Sequence, residues 1–185
     1  MTAHHTRILA LILAIVGAAA LRLVPHPPNF SPIDAMALFG GAYLGRKAIA
    51  FVAPLAAMLL SDVLLGFHSG MPFVYASVAV SVVIGWWVAS NRSVVRIGAA
   101  ALASAVLFFV VTNFGVWLQS GMYPPTPAGL MACYVAAIPF FQNTLAGDLF
   151  YTALLFGGFA LMERLIPAIR EPARFAPVAT LPSVR

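Results

Sequence analysis

Apolar residues run along this chain in long unbroken blocks, with no two-residue alternation, and the blocks are parted by short polar or proline-rich joints. Blocks of this length predict helices rather than strands. They cover residues 8–24, 33–44, 48–65, 73–89 and 97–118, followed by a longer apolar stretch over 129–165. Seventeen helical residues reach about 26 Å at 1.5 Å each, close to the thickness of a bilayer core, so most blocks can cross one. Segment 33–44, with Gly40 and Gly41 in its middle, is short for a lipid-facing span and is expected to be buried among its neighbours. In the last stretch Pro139 with Gln142 and Asn143 divides the pattern into a short lateral helix over 130–138 and a final span over about 144–162. Segment 8–24 would also suit a cleaved signal peptide; the charge pattern below favours keeping it as a span.

Between the first two blocks lies a rigid polar knot, Pro25-His26-Pro27-Pro28-Asn29-Phe30-Ser31-Pro32-Ile33-Asp34. Loops 66–72 and 119–128 are turns by their glycines and prolines, and the proline-rich tail 167–185 is expected to be a disordered cytoplasmic extension of one transmembrane domain.

Composition sharpens this picture. Of the 185 residues 62% are hydrophobic and 8% charged, so a soluble surface cannot be built, and an all-α membrane protein of six transmembrane helices is expected. The net charge of +5 comes from basic residues in short joints and the tail, which excludes a nucleic-acid partner and instead sets topology. With six spans, Arg7, Arg46, Lys47, Arg92, Arg96, Arg164, Arg170, Arg174 and Arg185 share one side and Arg22 lies near the other, so both termini are expected in the cytoplasm.

That topology gathers His26, Asn29, Asp34, Asp62, His68, Asn113, Gln119, Gln142, Asn143 and Asp148 toward the outer face and leaves the inner halves of the spans apolar. A pocket open to the outside is expected, with no ionisable group near the bilayer centre. Asp62 is the most embedded acid on this reading, while Asp34 and Asp148 can be explained as helix-start residues and Arg22 as a structural ion-pair partner. His26, clamped between prolines, suits ligand contact or metal coordination; a solvated loop histidine is the alternative. Tyr75 and Tyr134 are the aromatics nearest the polar set. Candidate substrate-binding residues are therefore His26, Asn29, Asp62, Tyr75, Asn113, Tyr134 and Asn143. Ala10, Ala14 and Ala18, four apart on one helix face, are candidates for docking a partner helix. The single Cys133 needs no role beyond packing, and no catalytic set or resident cofactor is expected. A membrane enzyme using Asp62 and His26 as an acid/base pair, or an assembly subunit without a pocket, are the other function classes.

The segments His26-Pro27-Pro28-Asn29-Phe30-Ser31-Pro32, Ala37-Leu38-Phe39-Gly40-Gly41-Ala42-Tyr43, Leu60-Ser61-Asp62 and Ile138-Pro139-Phe140-Phe141-Gln142-Asn143 resemble small six-helix bacterial membrane proteins. These are similar to the substrate-binding S-components of energy-coupling-factor vitamin transporters, nearest to solitary BtuM-type vitamin B12 transporters. The resemblance implies an inner-membrane uptake protein for cobalamin or a related corrinoid, with another vitamin or a nucleobase-like molecule as the alternative. It implies a ligand beneath the first outer loop, His26 and Asp62 in the binding region, and His26 as a candidate ligand of the corrinoid cobalt. It also implies docking of the alanine face on a coupling transmembrane protein served by separate ATPases, since no phosphate-binding loop is present here. The cysteine that supports decyanation in some BtuM-type members is missing after the third helix, where Tyr75 stands, so that chemistry is not expected.

Overall fold

The computed structural model describes residues 3–171. Six helices form an all-α bundle: α1 (Ala3–Leu21), α2 (Ile33–Leu44), α3 (Ile49–Leu65), α4 (Met71–Ala89), α5 (Val94–Gln119) and α6 (Pro127–Thr152). The sixth continues without a break through a π-helical turn, Ala153–Gly157, into α7 (Gly158–Leu165), giving a 39-residue rod. Four of the six are long and apolar enough to cross a membrane, while α2 and α3 are shorter apolar helices. Large apolar side chains cover the outside, with Val52, Leu60, Val63 and Leu64 on α3 each at least 60% exposed. Apolar surface on this scale is what lipid covers, so the chain has the shape of a multi-pass α-helical membrane protein.

The short second segment is the centre of the bundle. All of α2 except Tyr43 is buried. It lies so close to α4 that a Cβ on Gly41 would strike the Val82 carbonyl and one on Gly85 would strike the Leu38 carbonyl. Small residues at a crossing are the usual means of close helix contact in lipid. Phe39 and Tyr43 then stack against Phe156 and Phe159, tying α2 to the far end of the sixth rod.

The expected break at Pro139 does not occur. The helix runs from Pro127 through Pro139 to Thr152. A proline removes one backbone donor, whereas ending the helix there would leave several N–H and C=O groups unpaired where water is scarce, so continuation is the cheaper outcome. The tail expected to be disordered falls mostly on residues 172–185, outside the described residues. Its first part is folded: Pro167–Ile169 forms a 3-10 turn with Ile169 buried.

Basic side chains collect at one end of the bundle and are paired there. Arg7, 6% exposed, donates to Glu163 and to the Ile169 carbonyl, both at 2.5 Å, and sits over the Tyr43 and Phe159 rings. Arg92 reaches Glu171 at 2.7 Å, donates to the Ala42 carbonyl and lies 4.3 Å from the Tyr43 ring centre. This end is closed.

Candidate functional site

The opposite end is open. The proline-rich knot does not stand above the helices but folds inward. Phe30 packs on Phe150 and Tyr151, and Gly147 lets the backbone of Phe30 and Ser31 come within about 3 Å of where its Cβ would stand. Asn143 Nδ2 donates to the Pro28 carbonyl at 3.0 Å, and the Phe30 N–H closes a turn on the Pro27 carbonyl. Asn29 takes φ 63°, a left-handed conformation that asparagine tolerates better than most residues. Because the knot dips, α2 begins deep inside. Its second residue, Asp34, accepts a 2.9 Å hydrogen bond from Ser81, near the middle of the 19-residue α4.

Above this floor is a cleft of two adjoining lobes that share Arg22, Asn29, Ile33 and Phe108 in their walls. The smaller, about 260 Å³, is completed chiefly by His26, Ser31, Asp34, Thr144 and Asp148. The larger, about 440 Å³, is completed by Asp62, the His68–Gly70 loop, and Thr112, Asn113 and Gln119 of α5.

Arg22 is the hub between the lobes. Its guanidinium forms a 2.7 Å ion pair with Asp62, donates to the Ser61 hydroxyl and reaches the Met58 carbonyl at 3.4 Å. Tyr75 Oη donates to the other Asp62 oxygen at 2.7 Å. An aspartate buried near the end of α3 is thereby held by two donors, and α1, α3 and α4 are locked together at this point.

Of the candidate residues, His26, Asn29, Asp62 and Asn113 line the cleft. His26 stands at the mouth, its ring nitrogen 3.0 Å from the Pro27 carbonyl. Tyr75 acts on the cleft through Asp62 and Asn143 through the knot. Tyr134 lies away from it, donating to the Val110 carbonyl and packing on Phe109. Cys133 donates to the Asn113 carbonyl at 3.4 Å. Ala18 is buried in the bundle and Ala10 and Ala14 pack against its core, while Leu9, Leu13 and Val16 of the same helix are exposed.

Two acids lie deeper in the bundle than helix-start residues would. Asp34 and Asp148 are each 3% exposed, and both line the smaller lobe. The reading of Asp148 as a helix-start residue depended on the break at Pro139. In the unbroken rod it lies near the middle instead. Asp34 does open α2, but α2 itself begins midway along α4, which its sequence does not reveal. Arg22, Thr144, Thr112 and Phe108 are further lining residues that sequence reasoning did not assign; continuity of the sixth helix would have pointed to Thr144 and Asp148 together, one turn apart on one face. Among the described residues no group of three or more His, Cys, Asp or Glu side chains is placed to hold a metal ion.

Residues 2–169 match the model of a family described as "Family of unknown function (DUF6580)", and the chain belongs to that family. No curated protein and no solved structure matches it.

Proposed function

We propose, taking that membership as the premise, that the chain is a substrate-binding and uptake protein of the S-component type, working in a bacterial cytoplasmic membrane. In this reading all six helices cross the bilayer, both termini are cytoplasmic, and the cleft faces outward. Clustered arginines at the closed end support that orientation, since positive charge is retained on the cytoplasmic side. The substrate is a vitamin-like organic molecule. A corrinoid is the first candidate on the resemblance of the knot and of Asp62 to BtuM-type proteins, with another vitamin or a nucleobase-like compound as the alternative.

The observation that carries the proposal is the cleft itself. A bundle with a purely structural role gains nothing by opening a two-lobed cavity walled with buried charged groups, whereas a ligand site requires a concave wall with a few fixed polar groups. The Arg22–Asp62–Tyr75 cluster supplies fixed polarity, Phe108 and Ile33 supply apolar wall, and the knot supplies an edge held from α6. Uptake would proceed by reorientation of the bundle, alone or on a coupling membrane protein driven by separate ATPases.

The test is to purify full-length protein from cells supplied with cobalamin and record its absorption spectrum, with mass spectrometry of the extracted small molecules. A corrin spectrum, lost with Asp62→Ala, is the expected result. A colourless protein carrying a different organic molecule moves the reading to the alternative substrate class. Protein that retains no organic molecule, from cells whose uptake is unchanged by His26→Ala with Asp62→Ala, overturns it.

A further inference from the structure

The smaller lobe ends in two carboxyl groups, Asp34 and Asp148, and among the described residues no basic side chain is paired with either. Four charged residues line the cleft: Arg22, Asp34, Asp62 and Asp148. The guanidinium of Arg22 is taken up by Asp62, Ser61 and the Met58 carbonyl. Asp34 receives a hydroxyl from Ser81 through one oxygen. Asp148 Oδ2 is fully enclosed and has no hydrogen-bond partner. The elements around it add no cation: α4 supplies Ser81, α5 supplies Phe108, and His26 from the knot turns its ring nitrogen to Pro27 at the mouth.

A second orphan lies beside it. Thr152, one helical turn beyond Asp148 and on the same face, is 3% exposed, and its hydroxyl also lacks a partner. Thr112 and Thr144, in comparable helical positions, donate to the carbonyl four residues back. The missing bond at Thr152 is therefore not a general property of threonine in these helices. Buried polar groups are nearly always satisfied; Ser104 Oγ on α5 also lacks a partner, but of these orphans among the described residues Asp148 alone lines the lobe, and there a missing partner is called for.

We infer that the floor of the smaller lobe is a subsite for a cationic nitrogen of an organic ligand, an amidinium or ammonium group, held by Asp148 with Asp34 beside it. This rests on reading the cleft as a substrate site and specifies the ligand's buried end. A donor-rich cation matches two acceptors that the protein leaves without a counter-charge, and charge-assisted N–H bonds to carboxylates are among the strongest available. A lobe of about 260 Å³ admits a small ring or branched head, far more than a bare ion needs, and its junction with the larger lobe lets the rest of the molecule pass Arg22 and Phe108.

The experiment uses full-length protein in detergent and follows its melting by tryptophan fluorescence and its binding by calorimetry. The probes are benzamidinium chloride and its neutral isostere benzamide, with sodium and potassium chloride at matched ionic strength. Benzamidinium is expected to bind and raise the melting temperature, with benzamide at least tenfold weaker. Asp148→Asn should lose at least tenfold in benzamidinium affinity, while Arg96→Ala at the closed end should keep it. Equal binding of the two isosteres, no binding of benzamidinium, or unchanged affinity in Asp148→Asn overturns the subsite. So does a response to sodium over potassium without one to benzamidinium, which would make the occupant an inorganic ion. The comparison of isosteres on the unaltered protein needs no variant to fold. Protein that binds benzamidinium through Asp148 yet retains nothing from cells would sink the uptake reading and leave the subsite; a retained cellular ligand indifferent to Asp148→Asn would do the reverse.

Discussion

The two ends of this bundle use charge in opposite ways. At the closed end Arg7 and Arg92 are matched to Glu163 and Glu171, braced by aromatic rings, and covered by the turn that buries Ile169. At the cleft end one ion pair, Arg22 with Asp62, is complete, and deeper in Asp148 and Thr152 are left with polar atoms unanswered. The first arrangement fixes a shape. On the proposed reading, the second keeps interaction energy in reserve for a ligand. A buried group without a partner weakens the folded protein, a cost that the proposed subsite would offset when its ligand is bound.

The comparison can be broken first at the closed end. Arg7→Ala strands Glu163 and uncovers the Ile169 carbonyl, and it should destabilise the protein by about 3–5 kcal/mol in a reversible unfolding measurement while leaving ligand retention per folded molecule unchanged. Asp62→Ala strands Arg22, which still donates to the Ser61 hydroxyl and the Met58 carbonyl. A loss of about 2–4 kcal/mol is expected, this time with loss of ligand retention, so stability and binding should separate at one end and fall together at the other. Asn143→Ala frees the Pro28 carbonyl and should cost about 1 kcal/mol, with faster hydrogen exchange confined to residues 25–32. Asp148→Asn sharpens the contrast in the other direction. It exchanges a buried carboxyl that lacks a partner for an amide of the same shape, and ligand-free protein should melt no lower than the original and gain up to about 1 kcal/mol, whereas Glu163→Gln at the closed end should melt lower. A clear loss in Asp148→Asn would mean that its carboxylate is already satisfied within the fold.

Much of this architecture is written in the order of residues. Long apolar blocks with few charges leave helices in lipid as the available solution, and short basic joints separate the two ends before any packing is known. The centrality of 33–44 was legible too, since a segment too short to span and carrying Gly40 and Gly41 has to be enclosed by others. His26, Asn29, Asp62 and Asn113 were identified by being polar in an apolar chain, and they do line the cleft.

Depth was not legible. Whether Pro139 ends a helix depends on what would satisfy the freed backbone, and a local pattern does not contain that information. Once the sixth helix runs through, Asp148 moves from the start of a helix to the middle of the bundle. Asp34 was misplaced for a related reason, because the inward fold of residues 25–32 is set by Phe30 against Tyr151 and by the space beside Gly147, contacts more than a hundred residues away. Periodicity and charge act locally along the chain and so decided that there are helices and which ends carry positive charge. The level at which each helix begins, and therefore which acids meet at the floor of the cleft, is fixed by packing between distant segments and was decided by the tertiary structure.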